Sequence, residues 1–227
     1  MKQKFTILFD LDGTLVDTAP DLMLAHNHVM KKFGYPTKST EDIRNLVGKG
    51  AGALIGRSIW GQAKKEFSKV LDAKIKDEMV KEFVNFYGKN IVNESTLVTG
   101  VKDFLIWCKE QNISMAVCTN KQEHLSNDLL KKIGIYDFFE YVAGSDTFDY
   151  CKPDPRHLTN VVEILDGDIK KTIMIGDSET DANAAKAAEI PVILLENGYT
   201  EKNTTEIYHN HLIKDFTGVE KIIKKYL

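Results

Sequence analysis

The sequence predicts an α/β fold, a doubly wound and mostly parallel sheet carrying an inserted α-helical cap domain. Three observations lead there: short, almost continuously apolar runs ending at polar turns, helical periodicities between them, and a stretch near the N-terminus where strand signals stop.

The first run, Lys4 to Phe9, is rich in strand formers and breaks off at an acidic turn containing Gly13, as a buried parallel strand would. Ser114–Cys118, Tyr141–Ala143, Thr172–Ile175 and Pro191–Leu195 repeat the pattern, and their apolarity on both faces calls for helices on both sides of the sheet. Val101, Phe104, Leu105 and Cys108 recur at helical spacing after Gly100. Leu125, Leu129, Leu130 and Ile133 do so before Gly134, a C-terminal cap. The alternation reads as βα units of a Rossmann-like sheet. From 18 to 95 it gives way to helices at 19–33, 40–47, 51–60 and 77–89 with no convincing strand between them. The expected division is a catalytic core of residues 1–17 and 96–227 with a helical cap of 18–95. The final segment, Gly218 to Leu227, reads as a packed amphipathic helix.

Charge separates the two parts. The chain carries a formal −3, but residues 18–95 hold 13 Lys and Arg against 9 Asp and Glu, a net +4 that leaves −7 for the remainder. A basic cap over an acidic site suits anionic substrates, and scattered surface lysines serve solubility equally well. With no basic tract interleaved with aromatics, nucleic acid is not an expected partner. The apolar run behind the N-terminus is too short for a signal peptide or a membrane span, so no membrane partner is expected. Cys108, Cys118 and Cys151 form no metal pair and no even disulfide set, which favours free thiols in the cytoplasm. Nothing in the sequence sets an oligomeric state.

The strongest chemical signal follows the first strand: Asp10-Leu11-Asp12-Gly13-Thr14-Leu15-Val16-Asp17-Thr18-Ala19-Pro20-Asp21. It resembles the first motif of the haloacid dehalogenase superfamily, and especially its phosphoglycolate phosphatase-like branch. Three more motifs stand in the order that resemblance implies: Thr119-Asn120-Lys121, Lys152-Pro153-Asp154-Pro155 and Gly176-Asp177-Ser178-Glu179-Thr180-Asp181.

A carboxylate at the C-terminal edge of a parallel strand lies where open α/β sheets present groups to ligands, so Asp10 is placed to attack phosphorus. The resemblance makes Asp12 the general acid and base, with its backbone carbonyl on the metal. It likewise makes Thr119 the phosphate-binding residue and Lys152 the cation between nucleophile and phosphate. Asn120 is a polar neighbour of lower rank. Asp177, again at a strand edge, is the expected side-chain ligand of Mg²⁺, which prefers oxygen donors. Asp181 is expected outside the ligand set, holding water or orienting Lys152. Asp17 reads as a turn or capping residue.

These motifs account for phosphoryl transfer but offer no obvious group to read the leaving portion. That task falls to the cap loop Gly48-Lys49-Gly50-Ala51-Gly52, which lacks the order of a nucleotide-binding glycine motif. Lys49 is the candidate contact to substrate, with Arg44 and Arg57 ranked below it. The implied activity is Mg²⁺-dependent hydrolysis of a small phosphorylated metabolite through an aspartyl-phosphate, phosphoglycolate being favoured. A sugar-phosphate phosphomutase is the enzymatic alternative, although Thr14 resembles the hydrolytic branch more. A non-catalytic phosphate-binding protein is the other.

Overall fold

The computed structural model describes residues 4–60 and 69–227. In chain order the elements are β1 (Thr6–Phe9), β2 (Val16–Asp17), α1 (Ala19–Lys32), α2 (Thr40–Arg44), α3 (Ala51–Trp60), α4 (Lys69–Lys89), β3 (Thr96–Leu97), α5 (Val101–Glu110), β4 (Ser114–Cys118), α6 (Glu123–Lys132), β5 (Tyr141–Ala143), α7 (Arg156–Ile164), β6 (Thr172–Gly176), α8 (Glu179–Ala187), β7 (Val192–Leu195), β8 (His211–Ile213) and α9 (Glu220–Ile223).

Six strands form one sheet in the order β5-β4-β1-β6-β7-β8, and every pairing within it is parallel. Side chains alternate across it. Ile7 and Phe9 face one core with Met115, Val117, Ile173 and Ile175, while Leu8 faces another with Ala116, Met174 and Val192. The first core is closed by α5 and α6 through Phe104, Leu105, Leu129 and Leu130; the second by α7 and α8 through Leu158, Val161, Ala184 and Ala185. The α/β class and the helical cap therefore stand as the sequence predicts.

Strand β1 lies between β4 and β6, with Phe9 level with Val117 on one side and Ile175 on the other. The chain leaves it toward opposite halves of the sheet, and this switch point is where doubly wound sheets open a crevice. Asp10, Thr119 and Asp177 follow directly on the ends of β1, β4 and β6.

Three elements depart from expectation. The β2–β3 ribbon is antiparallel, pairing Val16 with Leu97 and Asp17 with Thr96; two residues per strand are too few to show a period in sequence. Strand β8 was missed because its three residues follow a polar stretch and are mostly half-buried. The terminal helix shrinks to Glu220–Ile223, one turn of the predicted ten residues. In the cap, α4 starts at Lys69 rather than 77, and α1 packs on both α2 and α4. Asp21 of α1 is buried and accepts hydrogen bonds from the amides of Asn93, Glu94 and Ser95 and from the Ser95 hydroxyl, fastening the start of the cap to its end.

Candidate active site

Asp10, Asp177 and Asp181 are all buried, with a carboxylate oxygen of each within 4.8 Å of the others. Crowding acids away from water disfavours the charge on Asp10 and Asp177. Burial, then repulsion from Asp181, lifts Asp10 to about 6 despite the lysine beside it. Burial, then Asp10, raises Asp177 well above the carboxylate range. Gly13 makes room for this cluster. At φ +83° it adopts a left-handed conformation, and a Cβ there would lie 2.1 Å from Asp177 Oδ2. The other side of Asp177 is fixed by the Tyr199 amide, which donates to Oδ2 at 2.6 Å.

Lys152 is the counter-charge. Its buried Nζ lies 2.9 Å from Asp10 Oδ1 and 2.6 Å from Asp181 Oδ1, and the two carboxylates hold it protonated well above the usual lysine range against the pull of burial. Asp181 is fully committed: Oδ2 accepts from the amides of Asp177 and Ser178 and from the Ser178 hydroxyl, as expected where Ser178 caps α8. Asp10 Oδ1, by contrast, has no well-aligned hydrogen bond among the described residues although Lys152 is close. Two buried carboxylates whose ionisation burial opposes, Asp10 and Asp177, form a donor set that fits a hard divalent cation.

Asp12 stands apart from that cluster. Its carboxylate accepts from Thr18 Oγ1 at 2.7 Å and from Lys121 Nζ at 2.7 and 3.0 Å. Thr119 is buried, and its hydroxyl oxygen accepts from the Lys121 amide, which leaves the hydroxyl proton to donate. The Asn120 amide group donates to Gly48 O at 3.1 Å and Lys152 O at 2.9 Å, so its nitrogen ties core to cap loop. These groups floor a cleft of about 270 Å³, just below the usual range for ligand sites, with Lys49 and the loop from Gly48 to Gly52 on its cap side.

A sequence model described as haloacid dehalogenase-like hydrolase matches residues 7–195. The chain belongs to this family. Within the haloacid dehalogenase-like hydrolases it falls in the phosphoglycolate phosphatase-like branch. It is 37% identical over 213 residues to the phosphoglycolate phosphatase of Mesorhizobium japonicum, covering 94% of this chain and 92% of that protein. With the phosphoglycolate phosphatase of Caulobacter vibrioides it is 38% identical over 216 residues, covering 95% and 89%. The crystal structure of a predicted phosphoglycolate phosphatase from Haemophilus somnus superposes with a TM-score of 0.89 at 31% identity, covering 98% of this chain and 99% of that one. The chain is accordingly a phosphatase.

In this haloacid dehalogenase-like hydrolase several side chains do something other than the sequence suggests. Asp17 does more than meet the first amide of α1: it lies in β2, accepts from Arg44 at 2.7 Å and from the Tyr199 hydroxyl at 2.5 Å, and is held below its ordinary range chiefly by those two hydrogen bonds against burial, with a further backbone hydrogen bond from Ala19. Arg44 pairs with Asp17, and Arg57 with Glu201 and the Leu46 carbonyl. Burial pushes the Cys108 and Cys118 thiols to about 12, which makes them packing residues. Lys121 is a core lysine lining the cleft, 8% exposed, with its Nζ 2.9 Å from the hydroxyl of Tyr87 on α4. Lys121 was visible in its motif but carried no distinguishing sign; Tyr87 and Tyr199 meet the site only through tertiary packing.

Proposed function

We propose that the chain hydrolyses compact phosphate monoesters, phosphoglycolate first among them, in a Mg²⁺-dependent reaction through an aspartyl-phosphate on Asp10. The observation that carries this reading is the buried Asp10 carboxylate, 2.9 Å from the Lys152 ammonium at the end of the central strand and exposed to the cleft. Asp10 attacks phosphorus in line while Lys152 and the Thr119 hydroxyl hold the phosphoryl oxygens. Asp12 protonates the departing alcohol. It then takes a proton from the water that cleaves the acyl phosphate, returning both carboxylates to their starting states. Asp10, the Asp12 backbone carbonyl and Asp177 would hold Mg²⁺, which when bound draws negative charge from nucleophile and phosphoryl oxygens. Asp181 stays outside that set and aims Lys152.

The division into a core of 1–17 and 96–227 and a cap of 18–95 assigns chemistry to the first and part of substrate choice to the second. Lys49 is exposed on the cap side of the cleft, where water weakens its contacts. Lys49→Ala should lower kcat/KM several-fold for esters whose leaving group is anionic, and less than about 3-fold for neutral ones. Equal losses for both would remove Lys49 from substrate selection. The free thiols of Cys108, Cys118 and Cys151 suit a reducing compartment, and we place the enzyme in the cytoplasm.

The decisive experiment is phosphate release from phosphoglycolate, pyrophosphate, nucleotides and sugar phosphates, with Mg²⁺ and with a chelator. Phosphoglycolate should show the highest kcat/KM, abolished by chelation and restored by Mg²⁺. An isomerised sugar phosphate without free phosphate would indicate a mutase; saturable binding without turnover, a binding protein.

A further inference from the structure

Lys121 stands between the Asp12 carboxylate and the cap residue Tyr87. Its Nζ donates to both oxygens of Asp12 and to the Tyr87 hydroxyl, and it lies 4.5 Å from the centre of the Tyr87 ring. Tyr87 is 1% exposed, and burial followed by the charge of Asp12 keeps its phenol protonated. The ammonium is thus clamped between core and cap at a wall of the cleft, with its side chain only 5% exposed. A buried, preoriented cation binds an anion far better than an exposed flexible one, because water screens it little and no side-chain freedom is lost. Elsewhere the cap side of the cleft is largely apolar, built from residues such as Leu22, Leu54, Val80 and Phe83.

We propose that Lys121, steadied by Tyr87, receives an anionic group on the leaving portion of the substrate and measures its distance from the ester oxygen. This rests on the monoesterase reading, in which Asp12 hydrogen-bonds that oxygen. Lys121 Nζ is 2.7 Å from Asp12 Oδ1. Ester oxygen and ammonium then stand at most about 6 Å apart, two hydrogen bonds laid end to end. A carboxylate borne directly on the ester carbon reaches Lys121 across this span. A carboxylate several methylenes farther away overshoots into the apolar wall, and a neutral leaving group leaves the ammonium with no new partner. Lys121 is therefore a specificity-determining residue, and Tyr87 a positioning residue acting through it.

The test compares wild type, Lys121→Met, Lys121→Arg and Tyr87→Phe in Mg²⁺ buffer on phosphoglycolate, 2-hydroxyethyl phosphate and the phosphate ester of 4-hydroxybutanoate. Glycolate binding is measured in parallel by calorimetry. Wild type should prefer phosphoglycolate to both other esters. Lys121→Met should shrink that preference about 10–100-fold, chiefly through KM, and weaken glycolate binding by a similar factor. Tyr87→Phe should shrink the preference about 3–10-fold, and Lys121→Arg should retain part of it. Should the methionine variant fail to fold by circular dichroism, the arginine and phenylalanine variants decide on the same ratios. Equal loss on all three esters, or glycolate binding unchanged by Lys121→Met, overturns the assignment. If wild type turns over none of the esters but binds glycolate in a Lys121-dependent way, the monoesterase reading fails and the Lys121 site stands.

Discussion

Asp10→Asn should abolish turnover and at the same time raise the melting temperature of the metal-free protein. Loss of the nucleophile should cost at least about 10⁴-fold in kcat, the scale seen when a covalent catalyst is removed. The stabilisation follows from the raised Asp10 pKa. Its folded value is about 6 against an ordinary 3.8, so ionisation is disfavoured by the fold. The resulting destabilisation accumulates between about pH 4 and 6 and is complete above that. Asparagine carries no charge and escapes it, gaining on the order of 1–3 kcal/mol at pH 7 and almost nothing at pH 4. Thermal unfolding in chelator at both pH values measures the gap. The account fails if the variant is no more stable than wild type at pH 7. The same ionisation sets the acid limb of the wild-type rate, which should fall below about pH 6 in limiting Mg²⁺. Saturating Mg²⁺ should move that limb to lower pH, since a bound cation favours the ionised carboxylate.

Lys152→Met should do the opposite to stability. Among the described residues Lys152 is the cation paired with Asp10 and Asp181, and removing it leaves buried acids without a counter-charge. Breaking one side of a buried ion pair costs about 3–5 kcal/mol. Lowering the pH from 8 to 5 should recover part of the loss, because protonation relieves the repulsion, and turnover should fall with loss of the phosphate contact. Denaturant unfolding of the metal-free variant at the two pH values is the check. A variant within about 1 kcal/mol of wild type at pH 8 would mean that the carboxylates are not held apart by Lys152. Opposite effects from neutralising the two members of one contact would show that this site is strained by excess negative charge.

How much of this was legible in the sequence depends on where the information resides. Asp10, Thr119 and Asp177 each follow an apolar run, so strand periodicity alone puts them at one edge of a parallel sheet. The Ser178 and Asp181 pair is local in sequence and reads as a helix start. Lys152 could be aimed only by resemblance, since a lysine before proline is usually a loop residue. The rest depends on packing between distant segments. Tyr199 reaches Asp17 across 182 residues and Lys121 reaches Tyr87 across 34. No periodicity encodes such meetings. Arg44 shows the converse failure: its charge was legible, but not the carboxylate that had already claimed it. The terminal helix was overestimated because Val219, Ile222, Ile223 and Tyr226 are spaced for a helix, whereas one turn suffices to seat Val219 and Ile223 in the core.

The two-residue ribbon of β2 and β3 gives the cap an economy of attachment. The strands that lead into and out of it run side by side, and Asp21 stitches the departing helix to the returning chain. The two covalent crossings thus lie together, and closing a longer loop between them would add an entropic cost that grows only logarithmically. An engineer could use the same joint, grafting a foreign lid between Asp17 and Thr96 to present a different wall to the same phosphoryl chemistry.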